Sequence, residues 1–130
     1  ARRQRQMCIR DRFAPDHFAG WSGSEDKTGM TVALESLAKL PNAHLRISST
    51  SLGPYADLSD REKDLFRRVI EAFTPQRVMW GSNFPSSRDG GYKGQVKLGQ
   101  TALPWLSADD REWIMGKSAY KLWPMLKAAS

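Results

Sequence analysis

The stretch Arg77-Val78-Met79-Trp80-Gly81-Ser82-Asn83-Phe84-Pro85 decides how the fold of this chain is predicted. Three apolar residues run into a Gly-Ser-Asn sequence, and Pro85 follows directly. Proline has no backbone N–H to donate to a neighbouring strand, and glycine lets the backbone bend. The pattern therefore predicts a short buried strand that ends in a polar corner.

The segment before this strand is the clearest helix in the sequence. Ser59 and Glu62 have the spacing of a capping box, in which each side chain accepts a hydrogen bond from the other residue's backbone N–H. Apolar residues at helical spacing follow, namely Leu65, Phe66, Val69, Ile70 and Phe73. Thr74-Pro75 ends the helix, and a short connection leads into the strand.

A second strand is predicted upstream, from Ala43 to Ser48, because its residues alternate in polarity. Leu45 and Ile47 lie on one face, and Arg46 and Ser48 on the other. In an antiparallel sheet the polar face would meet water, whereas in an α/β barrel it would point into the barrel mouth. An earlier helix is predicted from the helical spacing of Met30, Ala33, Leu34, Leu37 and Ala38, capped by Asp26 or Thr28.

The chain after Pro85 is predicted to be helical. A weak helix covers Tyr92 to Leu103, and a second begins at Ser107, with Gly116 as the residue after its end. A last short helix, Ser118 to Trp123, is expected to bury Tyr120, Leu122 or Trp123. Phe13 to Gly20 reads equally well as a strand end or as a loop. Strands that alternate with helices predict an α/β fold with parallel strands.

The first twelve residues differ in composition from the rest of the chain. They hold five Arg and one Asp, which is +4 of the chain's formal net charge of +6. This segment resembles a translated sequencing-adapter read, as found on metagenomic gene fragments, and a genuine but disordered basic arm is the alternative. The remaining residues are close to neutral and contain no basic cluster, so no nucleic-acid partner is expected.

The cysteine content and the hydropathy of the sequence exclude disulfide-bonded and membrane-spanning classes of protein. Cys8 is the chain's one cysteine, which rules out an internal disulfide and is typical of a cytoplasmic protein. No apolar run approaches the roughly 18 residues of a membrane span, so no membrane partner is expected.

Four segments in order resemble the amidohydrolase-related (amidohydrolase 2 type) family of metal-dependent hydrolases. The Arg77–Pro85 stretch resembles its Arg-x-Met-Phe/Trp-Gly-Ser-Asp-x-Pro run, with Asn83 at the place of a catalytic aspartate. Asp16 to Gly20 resembles its Asp-His-x-Gly strand end, although one extra residue precedes the glycine. Leu37 to Ser48 resembles its Leu-Ala-x-x-Pro-Asn-Val-x-Val-Lys-Ile-Ser segment, and Leu106 to Trp123 resembles its closing helices.

This resemblance implies the C-terminal portion of a (β/α)₈ TIM barrel over residues 13–130. Because such a barrel needs roughly 250 residues, an N-terminal half is expected to be missing. The implied activity is that of a lactonase- or decarboxylase-like hydrolase on a small lactone, ester or carboxylated substrate, and the chain alone is expected to be inactive. The alternative is an independent small α/β binding or interaction module without catalysis.

The resemblance also implies roles for individual residues. His17 would polarise or protonate a carbonyl oxygen, or bind metal in the complete barrel. Asn83 could hold a substrate oxygen or orient water but cannot act as a general base, since an amide does not titrate near neutral pH; a plain turn residue is the alternative. Arg46 and Ser48 are the candidate substrate-binding residues, and for Arg46 a structural role inside the barrel stays open.

A zinc ion or another divalent metal is implied for the full-length parent protein. The family's first strand supplies a His-x-His pair, and no such spacing occurs in this chain, so the chain itself is expected to hold no metal. Unpaired sheet edges predict self-association.

Overall fold

The structure, a computed structural model, describes residues 14–15, 29–86 and 90–128. In these ranges two short strands pair in parallel, β1 (Leu45–Ser48) and β2 (Val78–Gly81). Their register runs from Leu45 opposite Val78 to Ser48 opposite Gly81. The predicted α/β class with parallel strands is confirmed for this part of the chain.

Helices fill most of the remaining described sequence. In chain order they are α1 (Met30–Ala38), α2 (Ser49–Leu52), α3 (Asp60–Phe73), α4 (Gly91–Thr101), α5 (Ala108–Glu112), α6 (Ser118–Leu122) and α7 (Met125–Ala128). Two 3₁₀ turns, Gly53–Asp57 and Pro75–Arg77, and a π-helical turn, Trp113–Lys117, complete the order. The segment with α2 and α3 thus crosses from one parallel strand to the next, as in a βαβ unit.

Helix α3 forms as its sequence predicts. The Ser59 hydroxyl accepts from the Glu62 N–H at 3.3 Å, and the Glu62 carboxylate accepts from the Ser59 N–H at 2.8 Å. The buried residues of α3 are Phe66, Val69, Ile70 and Phe73, and the helix packs against α1. Local capping and helical spacing therefore suffice to define this element.

The core lies between these helices and one face of the sheet. Leu45 and Ile47 are buried on that face together with Val78, whereas Arg46 is exposed on the opposite face. The predicted alternation along β1 is thus confirmed from Leu45 to Ile47, whereas Ser48, on the polar face, is buried as well. No helix in the described residues is long and apolar enough to span a membrane.

Some boundaries differ from prediction. Gly116 does not end a helix, since α5 continues through the π-helical turn into α6. Of the three residues offered for burial in α6, Leu122 is buried, and Tyr120 and Trp123 are exposed. The N-cap of α1 is Gly29, with a φ of 68°; the predicted caps Asp26 and Thr28 lie outside the described residues.

Candidate functional site

The candidate site lies where β1 and β2 end. Because the strands are parallel, their carboxyl ends meet at one edge of the sheet, with Ser48 beside Gly81. Side-chain hydrogen bonds continue the pairing beyond this point. The Ser49 hydroxyl donates to the Ser82 carbonyl at 3.0 Å, and the Asn83 amide nitrogen donates to the Thr50 hydroxyl at 3.0 Å. The two segments that follow the strands are therefore held together at their first residues.

Asn83 combines a turn conformation with a polar side-chain contact. Its φ is 53°, in the left-handed region that asparagine adopts more readily than most residues. Its amide nitrogen is engaged by Thr50. This position, which resembles that of a catalytic aspartate, thus carries a hydrogen-bond donor.

Arg46 and Ser48 share the face of β1 that points away from the helices. Arg46 is exposed beside Met79, and Ser48 is buried beside Gly81. The backbone N–H of Arg46 donates to the Pro15 carbonyl at 3.1 Å, so the described residues that precede α1 contact the backbone of β1. The structure places Ser48 and Asn83 at the carboxyl ends of the two strands, and Arg46 lies two residues before Ser48 on the same face of β1; their roles stay predictions.

The two histidines are placed differently. His17 lies outside the described residues. His44 is half-buried just before β1, and its Nδ1 lies 3.2 Å from the Asn42 carbonyl. His44 is therefore at the amino end of the strand, away from Thr50 and Asn83.

Sequence reasoning missed several residues at this edge. Thr50 and Ser49 belong to a run of four hydroxyl residues, Ser48 to Ser51, that directly follows the predicted strand and could have pointed to them. Phe84 and Tyr92 were also missed. Their ring centroids are 5.9 Å apart at an interplanar angle of 76°, and the side chains are 49% and 55% exposed. An exposed aromatic pair thus begins directly after Asn83 in the chain.

The described residues do not fit a metal site. Within them, no three His, Cys, Asp or Glu side chains lie close enough together to hold a metal ion. The Thr50 and Asn83 pair offers a hydroxyl and an amide, whereas zinc prefers thiolate, imidazole and carboxylate ligands. The Thr50 and Asn83 side chains can instead contact a bound molecule through hydrogen bonds.

Comparisons with known proteins show which proteins this chain resembles. The sequence profile of the family described as Amidohydrolase matches residues 11–125. A 65-residue segment is 40% identical to an L-fucono-1,5-lactonase of Burkholderia ambifaria, covering 48% of this chain and 22% of that protein. A 62-residue segment is 36% identical to a D-galactarolactone isomerase of Agrobacterium fabrum, covering 45% of this chain and 20% of that protein.

Solved structures share the fold. An amidohydrolase from Burkholderia multivorans with bound zinc superposes with a TM-score of 0.64 at 22% identity, over 92% of this chain and 47% of that one. Amidohydrolase 2 from Bifidobacterium longum subsp. infantis gives a TM-score of 0.62 at 18% identity, over 92% and 42%. The chain thus spans less than half the length of these relatives. Because the family profile covers most of its residues, the chain belongs to the amidohydrolase family.

Proposed function

We propose that the chain is the C-terminal portion of a (β/α)₈ barrel hydrolase that opens a small lactone, with esters and other carboxylated compounds as the wider substrate class. The observation that carries the proposal is the hydrogen-bonded pair of Thr50 and Asn83 at the carboxyl ends of two parallel strands. In such barrels the chemistry is carried by residues at this end of the strands. The names of the two curated relatives, both lactone enzymes, support a lactone first.

The proposed roles follow from the chemistry of each side chain. Arg46, exposed on the face of β1 that carries Ser48, suits a carboxylate or a ring oxygen of the substrate. Asn83 positions a hydroxyl, since its amide cannot accept a proton near neutral pH. Proton transfer is assigned to His17, because imidazole is the side chain whose ordinary pKa lies closest to neutral pH.

A metal ion is proposed for the complete protein only. The zinc bound by the Burkholderia multivorans amidohydrolase supports it. The described residues of this chain do not gather metal ligands, so no step proposed here passes through a metal.

Lactone hydrolysis by the complete protein encoded by the gene tests this proposal. A set of sugar 1,5-lactones, a simple aryl ester and a carboxylated aromatic compound would be compared, before and after dialysis against a chelator. We expect turnover of at least one lactone above that of the aryl ester. A folded complete protein that turns over none of these compounds would rule the proposal out and would favour the non-catalytic module.

A further inference from the structure

The hydroxyl of Thr50 has a defined hydrogen-bonding state. A threonine hydroxyl offers one proton and two acceptor lone pairs. One lone pair accepts the Asn83 amide N–H at 3.0 Å, and within the described residues the hydroxyl makes no other hydrogen bond. The side chain is exposed at the end of β1. Its proton is therefore available to an oxygen atom of a bound molecule.

This state depends on an amide at position 83. A carboxylate has no N–H, so an aspartate here would accept the Thr50 proton instead of donating to its oxygen. The hydroxyl would then be turned toward position 83 and lost to a ligand. Asn83 therefore fixes the direction in which Thr50 donates.

An exposed aromatic pair begins at the residue after Asn83, the partner of Thr50. The Phe84 backbone N–H donates to the Ser82 hydroxyl at 3.2 Å, which fixes the turn that carries the Phe84 ring. This ring meets the Tyr92 ring edge to face, with about half of each side chain exposed. Two packed rings offer a firm apolar face, and small-molecule sites combine such faces with a few placed polar groups.

We propose that Thr50, Phe84 and Tyr92 form a subsite for the ring of a sugar lactone. Thr50 donates a hydrogen bond to a ring or carbonyl oxygen, and the aromatic pair covers the C–H face of the saturated ring. Asn83 acts as the positioning residue for Thr50. This inference rests on the proposed function and adds the substrate's recognition elements to it.

Saturation-transfer NMR on the 130-residue chain tests the subsite, since it observes the small molecule and tolerates self-association. The probe is D-glucono-1,5-lactone, freshly dissolved at mildly acidic pH, and open-chain gluconate is the comparison. Irradiation of aromatic protons should transfer saturation to the ring C–H protons of the lactone more strongly than to gluconate. Titration then gives a dissociation constant.

Variants assign the contacts. Thr50→Val should raise the dissociation constant about five-fold, and Thr50→Ser should leave it unchanged. Asn83→Asp should weaken binding as Thr50→Val does. Phe84→Ala and Tyr92→Ala should each raise the constant about three- to ten-fold and reduce the saturation transfer. Thr101→Val and Tyr120→Ala remove the same groups elsewhere on the surface and should have no effect. Circular dichroism checks the fold of each variant.

Three results would overturn the subsite: no transfer to the lactone, transfer unaffected by the Thr50 and Phe84 substitutions, or equal losses in the two control variants. If one of these results is obtained and the complete protein still hydrolyses a lactone, the subsite is wrong and the proposed function is retained. Specific lactone binding without turnover supports the subsite and counts against the proposed hydrolysis.

Discussion

At the scale of single residues, the amide of Asn83 limits what position 83 can do. An aspartate there could both contact the Thr50 hydroxyl and accept a proton from water, whereas an asparagine can only do the first. Its amide positions the Thr50 hydroxyl, and it cannot take a proton from water. If the complete protein is a hydrolase, proton transfer has to come from another group, and His17 is the candidate on this chain.

Substitutions of His17 and Asn83 should therefore affect different kinetic constants. In the complete protein we expect His17→Ala to lower kcat by about 10²-fold, because it removes a group that exchanges protons near neutral pH. Asn83→Ala should mainly raise KM, since it removes positioning. Steady-state kinetics on purified variants measure both, and small, equal effects would exclude His17 from catalysis.

Arg77 has a structural task in the same stretch. Its guanidinium donates to backbone carbonyls of α1 and α3 and of the loop after α1, namely those of Ala38, Leu40, Ala43, Ala72 and Phe73, at 2.7 to 3.4 Å. The last carbonyls of a helix have no partner within the helix, so one side chain satisfies the ends of both helices. Arg77 therefore ties the helices that flank β1 to the start of β2.

Replacing Arg77 by lysine should be costly although the charge is kept. A single ammonium cannot reproduce the planar fork, and we expect a loss of about 1–3 kcal/mol in the free energy of unfolding. Urea denaturation followed by circular dichroism measures it. Arg61→Lys on the exposed side of α3 is the matched control, with an expected change below about 0.5 kcal/mol. Equal unfolding midpoints for the two variants would contradict this role.

At the scale of elements, α4 is fixed by a close approach to β2. A Cβ atom placed on Gly99 would lie 2.5 Å from Nε1 of Trp80, so glycine lets the helix backbone come near the indole. The Trp80 indole N–H is buried without a partner in the part of the chain that the structure describes. Close packing of the indole on the glycine, and not a hydrogen bond, therefore holds α4 against β2.

Gly99→Ala should destabilise the chain despite alanine's higher helix propensity. Alanine gains about 1 kcal/mol in a helix, whereas overpacking costs about 1–3 kcal/mol. We expect a net loss in thermal stability that Trp80→Phe partly restores in the double variant. Gly116→Ala, where the nearest atom would be Tyr120 Cε2 at 3.8 Å, is the control: it adds the same methyl group without a clash and should be stabilising. A Gly99→Ala variant that is more stable than the original chain would show that the Trp80 indole can move aside without a loss in stability.

What the sequence could predict depended on how local each signal is. The capping residues and apolar spacing of α3, and the alternation of β1 from Leu45 to Ile47, lie within single segments and were predicted correctly. The continuation of the helix through Gly116 was missed, because glycine is common just after helices and nothing adjacent contradicts an end there. Asn83 could be identified from the sequence motif around it. Thr50 could not, because its hydrogen-bond partner lies 33 residues away in the chain. Contacts between residues so far apart in the chain can be identified only once the fold is known.

At the scale of the whole molecule, the sheet is open on one side within the described residues. β1 pairs with β2, and its Arg46 N–H also donates to the Pro15 carbonyl, but no described strand pairs with the other side of β2. Exposed strand edges pair readily with other chains. We therefore propose that the isolated chain self-associates through this edge.

Sedimentation velocity over a range of concentrations tests this self-association, and near-UV circular dichroism reports the packing of the aromatic residues. We expect the sedimentation coefficient to rise with concentration. A monomer at about 100 µM with sharp aromatic signals and cooperative melting would instead identify a self-sufficient domain.

The central claim is that this chain is one part of a larger barrel, and the DNA upstream of the Phe13 codon tests it most directly. A barrel of roughly 250 residues requires an in-frame extension of about 150 residues, and the account predicts a His-x-His sequence near its beginning. A stop codon followed by a start codon just before Phe13 would contradict the claim and leave a small α/β module in its place.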